Sequence, residues 1–364
     1  MFKNAFDKKS VLVTGHTGFK GSWLTAWLKQ LGAKVVGIAL EPPSKPSNFI
    51  SAEISDGIID HRVDIRNQKE IESLIISAKP DFIFHLAAQA LVQQSYEKPL
   101  ETWHINLFGT LNVLEALRAI NKECAVIIIT SDKCYDNVEW VWGYRENDSL
   151  GGSDPYSASK GATEIAIRSH IKTYFPIDSS KVRIASVRAG NVIGGGDWAS
   201  NRIVPDCVKA WSVGDLVELR NPNSTRPWQH VLEPLSGYLS LAVALTERPT
   251  LHGQPFNFGP QAQENRSVLE LVKEMAIHWP KVRWEGVANK SVGPYECGLL
   301  KLNCDKALHE LGWHAVMKFE ETVQMTTEWY RNFYEKQTHM KTVNNEQIVN
   351  YTELAKKRGI TWAY

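Results

Sequence analysis

The sequence predicts an α/β fold: a doubly wound parallel sheet followed by a smaller, mainly helical C-terminal lobe. Three observations carry that expectation. Short apolar runs alternate with helix-periodic segments through the first half of the chain, the pattern of successive βα units. A glycine-rich turn joins the first apolar run to the first helix. After about Gly190 the rhythm breaks into irregular stretches rich in Pro and Trp, with helical runs between them.

The elements follow in order. Val11-Leu12-Val13 is a short strand leading into Thr14-Gly15-His16-Thr17-Gly18-Phe19-Lys20-Gly21, and Ser22 to Leu28 continues with helical periodicity. Glycines there let the backbone approach a pyrophosphate, and the helix N-terminus supplies N–H donors. Gly15, His16, Thr17, Gly18, Phe19, Lys20 and Gly21 are therefore candidate cofactor contacts, with Lys20 either on phosphate or in solvent. A second strand, Lys34–Leu40, ends at Glu41, where an acid favours the free ribose hydroxyl of NAD. A third run, Ile58 to Val63, is followed by Asp64 and Ile65, either an adenine cap or a turn acid and its neighbour.

Asp81 to His85 is a further strand, running into Leu86, Ala87 and Ala88, small enough at the strand end for a cofactor to lie close. A helix is expected from Pro99 to about Ala119, with Asn106 shaping the site or serving the fold alone. Ala125–Ile129 reads as a buried strand and Val182–Arg188 as the sixth of the sheet. Helical runs recur at Leu232–Thr246, Ser267–His278 and Phe319–Phe333, and the tail ends in an apolar patch, Ile360–Tyr364. Residues 1–190 are thus expected as an NAD-binding Rossmann-type domain. Residues 191–364 form mostly a substrate lobe, with some segments returning to the first domain.

Composition narrows the function. The chain has 364 residues, 43% hydrophobic and 22% charged, with a net charge of +1. That balance leaves no electrostatic footprint for nucleic acid or an anionic membrane. No apolar run approaches transmembrane length, and no secretory core precedes the first strand. The 5 cysteines are scattered without a CxxC pair, which suits a reduced, cytoplasmic protein without a metal site. Most of the 13 Trp are expected to pack, a few lining a pocket for a flat ligand.

The chemistry is expected between Thr130 and Lys160. Ser131, Asp132 and Lys133 sit at the C-terminal end of a parallel strand, where open α/β sheets place ligands. Tyr156 and Lys160 lie four apart on a helix, so they face one way. A nearby ammonium lowers a phenol pKa, and such a Tyr can take a proton from an alcohol; the plain alternative is a helix start with a packed Tyr. Arg202, Arg220 and Arg226, in loops, are candidate diphosphate ligands through bidentate contacts, or surface residues. Gln89, Asn191, His230 and Tyr295 complete the expected substrate set.

Thr14-Gly15-x-x-Gly18-x-x-Gly21, His85-Leu86-Ala87-Ala88 and Tyr156-x-x-x-Lys160 together resemble the extended short-chain dehydrogenase/reductase family, from about residue 8 to 330. Within it the chain looks like the nucleotide-sugar 4,6-dehydratases. Those carry a hydroxyl residue, an Asp and a Glu at the strand end, where this chain reads Ser131-Asp132-Lys133. The Lys, the loop Gly15 to Leu24 and the segment Arg188 to Trp198 resemble the branch acting on CDP-glucose. The resemblance implies tightly held NAD, CDP-glucose as substrate and a homodimer or homotetramer. It also implies a place in making dideoxyhexoses for the lipopolysaccharide O-antigen. It further implies that Tyr156 takes the 4-hydroxyl proton beside Lys160, with Ser131 on the 4-oxygen. Lys133 then removes the C5 proton and Asp132 protonates the leaving 6-hydroxyl, while NAD holds the hydride between C4 and C6. A nucleotide-sugar 4-epimerase shares the loop and the Tyr/Lys pair but does not need Asp132 and Lys133. A non-catalytic NAD-binding scaffold needs neither Tyr156 nor Lys160.

Overall fold

The structure, a computed structural model, describes residues 1–219, 221–261, 264–280, 282–286 and 299–364. Seven parallel strands form one sheet: β1 (Ser10–Thr14), β2 (Lys34–Ala39), β3 (Ile59–Arg62), β4 (Phe82–His85), β5 (Cys124–Ile129), β6 (Val182–Ala189) and β7 (Pro255–Phe258), in the order β7-β6-β5-β4-β1-β2-β3. The order reverses at β1, between β4 and β2, so the doubly wound sheet expected from the sequence is present. Its register sets the site: Thr14 pairs with His85, His85 with Ile128, and Ile129 with Val187. The segments after β1, β4, β5 and β6 therefore leave one edge together, the side on which open α/β sheets bind ligands.

The strands are apolar on both faces because helices cover both. Val126 and Ile128 of β5 join one cluster with Leu12, Ile83 and Ile184, while Ala125 and Ile127 join the opposite one with Val11, Val13 and Phe84. The second cluster runs on through the helices Phe19–Gln30, Leu232–Glu247, Phe319–Tyr334 and Met340–Lys357. Strand β7, from the second half of the chain, completes the sheet by pairing with β6.

Two expectations change in detail. The single helix from Pro99 is divided: Pro99–Trp103 and Gly109–Leu117 are α-helical, joined by a π turn at His104–Phe108. The polar tail contains an 18-residue helix, Met340–Lys357, whose apolar positions are too sparse to carry a clear helical period. The terminal apolar patch docks on the body of the same chain: Trp362 stacks on Phe2 at 5.0 Å and on Tyr351 at 5.6 Å. Among the described residues no helix is long and apolar enough to cross a membrane.

Candidate active site

The glycine turn is shaped by close approach. Gly15 has φ +76°, and a Cβ on it would stand 2.7 Å from the Ala87 nitrogen. A Cβ on Gly21 would stand 2.1 Å from the Gly15 carbonyl oxygen. Gly18 starts the helix with no side-chain cap, so its first N–H groups remain available to an anion. The Thr14 hydroxyl accepts from the Ala87 N–H at 3.2 Å and shares a 2.7 Å hydrogen bond with His85 Nδ1. Burial pushes the His85 imidazole down to about 3, so it is a neutral bridge to Thr110. This bare, donor-rich turn beside Leu86–Ala88 suits the pyrophosphate of a dinucleotide.

His16 turns away from that surface. Its ring lies under Gly37, wholly buried, with Nε2 bonded to Asp60 at 2.8 Å. Asp60 also holds Arg62 at 2.8 Å, and Arg62 reaches Glu41 at 3.7 Å. The acid expected on the ribose, Glu41, is thus exposed beside an arginine. Asp64 is engaged by the Arg66 side chain and N–H, and Ile65 packs where a Gly109 Cβ would be.

Asn106 is fully employed in positioning. From the π turn its amide accepts from the Gln89 N–H at 2.8 Å and donates to Ser159 Oγ at 2.9 Å. Its carbonyl receives Thr110 and Thr163. Gln89 in turn donates to Leu91 O and Thr102 Oγ1.

After β5, Ser131 caps the short turn Asp132–Cys134 by accepting from the Lys133 N–H at 3.2 Å. The Ser131 hydroxyl donates to Asp132 Oδ1 at 3.0 Å. Burial pushes the Asp132 carboxyl up, against the opposing pull of Lys133, Ser131 and Lys20, so it holds its proton more tightly than an ordinary acid. Asp154 starts the next helix, Pro155–Tyr174, accepting from Ser157 N at 2.9 Å. That cap and Pro155 fix the first turn, which carries Tyr156, and Lys160 follows one turn on.

Tyr156 does not match the expectation of a phenol drawn down by Lys160. Burial pushes it up to about 12, Ser131 and Arg202 pull it down, and Asp132 adds to the rise. Burial likewise lowers the Lys160 ammonium to about 8, while Cys134 and Glu164 favour its charge. Desolvation leads at both residues, and the charges and hydrogen bonds that modify it come from other neighbours rather than from each other.

Of the two roles expected for Lys20, phosphate contact or solvation, the solvated one does not hold. It is partly buried and faces Asp132 and Lys160, lowered to about 8 by burial, with Asp132 favouring its charge and Arg202 and Lys160 opposing it. Arg202 bonds Asp197 at 2.6 Å. Asn191 lies between β6 and the short pair Val192–Ile193 with Gln229–His230. His230 is wholly interior, edge-on to Trp23 at 6.1 Å and lowered to about 3 by burial, so the expected substrate contact is a core histidine. Arg226, on Thr225–Pro227, pairs in register with Arg266. Arg220 and Tyr295 lie outside the described residues.

A cleft lined by Gly190, Pro227, Gly259, Pro260, Asn265 and Leu302 opens beside this cluster. A Cβ on Gly190 would stand 3.2 Å from Asp132 Oδ2, so a bare glycine lies between the buried acid and the cleft. Sequence reasoning missed Thr130, Tyr135, Glu164 and Arg188, which form a buried network under the site. The signal was present: Glu164 repeats the spacing of Tyr156 and Lys160 once more, and Arg188 is a charge in an apolar strand. Among the described residues no cluster of His, Cys, Asp or Glu could hold a metal ion.

Residues 12–326 match the family described as GDP-mannose 4,6 dehydratase. The chain is 44% identical over 333 residues to the CDP-glucose 4,6-dehydratase of Salmonella typhimurium, covering 90% of this chain and 92% of that one. In fold it resembles a UDP-glucose-4-epimerase from Stenotrophomonas maltophila solved with NAD, at TM-score 0.76 and 21% identity over 89% of this chain and 98% of that one. A Bacillus anthracis dTDP-glucose 4,6-dehydratase, also in complex with NAD, gives TM-score 0.70 at 20% identity over 88% and 96%.

Proposed function

Because this chain belongs to the GDP-mannose 4,6 dehydratase family, we propose that it dehydrates a nucleoside diphosphate hexose, namely CDP-D-glucose to CDP-4-keto-6-deoxy-D-glucose, with NAD as resident cofactor. The observation that carries the reading is Asp132, a buried carboxylic acid held beside Lys133, Ser131 and Tyr156. A simple alcohol oxidation has no use for that acid. The 44% identity to a CDP-glucose 4,6-dehydratase supports the choice of cytidine nucleotide.

The glycine turn Gly15–Gly21, Asp64–Ile65 and Leu86–Ala88 would hold NAD, which when bound supplies reversible hydride acceptance between C4 and C6 of the sugar. The remaining steps are proton transfers by the chain. Tyr156 takes the proton of the 4-hydroxyl, with Ser131 on the same oxygen and Lys160 behind it. The 4-ketone so formed acidifies the C5 proton, which Lys133 removes. Asp132 gives its proton to the 6-hydroxyl, which leaves as water, and Lys133 returns a proton to C5. Arg202, whose charge acts on Tyr156, would meet the anionic end of the substrate, and Asn191, Arg226 and Gln89 would supply further substrate contacts.

Residues 1–190 would carry the cofactor and 191–364 most of the substrate contacts. We further infer a cytoplasmic homodimer or homotetramer supplying deoxysugar precursors of surface polysaccharide. Leu100, Phe108 and Ile165 support self-association, being exposed apolar residues on helical segments that pack side by side.

The test is product analysis with CDP-, dTDP-, GDP- and UDP-hexoses, followed by CDP-glucose deuterated at C4. Label recovered at C6 of a 4-keto-6-deoxy product is the expected result. Label lost to solvent, or a C4 epimer as the only product, would overturn the reading.

A further inference from the structure

The turn bearing Ser131, Asp132 and Lys133 and the helix bearing Tyr156 and Lys160 are separate pieces of chain. Chemistry at adjoining carbons of one sugar needs them in fixed register. One buried ion pair touches both. Glu164 stands on the Tyr156 helix, one turn beyond Lys160 and on the same side. Arg188 on β6 grips it with two bonds, Nε to Oε1 and Nη2 to Oε2, each 3.0 Å, with both side chains buried.

Two further bonds of the pair reach the two ends of the turn, while others go to Ser186 and the Glu146 carbonyl. Glu164 Oε1 accepts from the hydroxyl of Thr130, the residue immediately before Ser131, and Oε2 accepts from Ser186 Oγ at 2.8 Å. Arg188 Nη1 donates to the hydroxyl of Tyr135, the residue immediately after Cys134, at 2.7 Å, and its guanidinium lies 4.8 Å from the Tyr135 ring centroid. Tyr135 Oη donates onward to Asn257 Oδ1 on β7 at 2.8 Å. The entrance and exit of the acid–base turn are thus tied to one carboxylate and one guanidinium on the two elements flanking it. A buried ion pair is weak evidence for stability, because desolvation opposes its attraction. Its better-attested use is to specify one arrangement over others.

We propose that Glu164 and Arg188 are a positioning pair that sets the Asp132–Lys133 turn against the Tyr156 helix, and that they govern loss of water more than oxidation at C4. The inference rests on the dehydratase reading above. Oxidation draws on Tyr156 and the cofactor turn, with Ser131 of the acid–base turn adding only a hydrogen bond to the 4-oxygen, whereas elimination needs both Asp132 and Lys133 aimed at a sugar that the helix side already holds. A loosened turn therefore slows the second half-reaction first.

Deleting Glu164 or Arg188 strands a buried partner charge and endangers folding, so the test removes single hydroxyls. Thr130→Val and Tyr135→Phe each cut one tie to the pair, together with the bond that hydroxyl makes to Val187 O or to Asn257 Oδ1, and leave the ion pair in place. In NAD-loaded enzyme given CDP-glucose, the double variant is expected to lose roughly tenfold or more in kcat with KM changed less than about twofold. Reduced nicotinamide should accumulate in its rapid-mixing absorbance trace, beyond the level in the parent enzyme. Thr130→Ser, which keeps the hydroxyl, should recover to within about threefold of the parent. Unchanged kcat, or oxidation and elimination slowed equally without that accumulation, would overturn the pair's role alone. A parent enzyme that consumes no nucleotide hexose would overturn the dehydratase reading as well.

Discussion

Asp132 keeps its proton because burial opposes its charge more strongly than Lys133, Ser131 and Lys20 favour it. An acid of that kind can protonate a leaving hydroxyl near neutral pH. Asp132→Asn should lower product formation by about 10²- to 10⁴-fold while reduced nicotinamide still forms on substrate addition. Dehydration at near-parent rate would remove Asp132 from the role of acid. Lys20 permits a second measurement. Its ammonium pulls the Asp132 carboxyl down, so Lys20→Met should raise the acid's pKa and move the alkaline limb of the kcat profile to higher pH. A limb that stays put or moves down would show that the two do not communicate. Most catalytic candidates were legible as residue types at their spacing. Their protonation was not, because spacing says nothing of desolvation, and desolvation leads at Asp132, Tyr156, Lys160 and Lys20 alike. His230 shows the same limit: its loop placed it near substrate, and the fold buried it.

Elements were readable where apolar periodicity was strong. The runs predicted at Leu232, Ser267 and Phe319 appear as Leu232–Glu247, Val268–His278 and Phe319–Tyr334, with Ser267 as a hydrogen-bonded cap. The π turn at His104–Phe108 was invisible, since no local residue pattern demands it. It accompanies an Asn106 whose amide serves Gln89 and Ser159 at once, contacts 17 and 53 positions away. The glycine turn was the most legible element, and its contacts explain why. A methyl on Gly21 would collide with the Gly15 carbonyl oxygen at 2.1 Å. Gly21→Ala should therefore displace the turn, weakening NAD binding in a fluorescence titration and costing about 1–3 kcal/mol in denaturant unfolding. Parent-like NAD affinity would mean that the turn tolerates displacement.

Across the whole molecule, distant segments meet at single buried groups. Glu233 accepts from the Val316 and Met317 N–H groups and from the Tyr351 hydroxyl, joining the helix Leu232–Glu247 to two later segments. Burial raises its carboxyl to about 7, with those donors opposing the shift. A folded pKa above the unfolded value near 4.5 contributes stability that is complete below about 4.5 and lost as pH rises through about 7. Glu233→Gln should flatten the fall in stability across that window, on the order of 3 kcal/mol for the parent, in unfolding curves taken at several pH values. An unaltered slope would assign the fall to other groups. Ile165→Arg should dissociate the proposed oligomer in sedimentation without loss of secondary structure. An unchanged mass would move the interface elsewhere.

The sequence by itself determined the sheet, the nucleotide turn and the identity of most groups that could do the chemistry. Each of these is written in local signals: apolar periodicity, glycines at a strand end, a Tyr and a Lys one helical turn apart. Tertiary structure alone decided which face each group presents and what charge it carries. Lys20 turned inward, His16 and His230 were buried, and Thr130 and Tyr135 were tied through Glu164 and Arg188 into one support for the acid–base turn. Charge state and orientation depend on neighbours brought in from other elements and on the water those neighbours exclude, and neither is encoded at any one place in the chain.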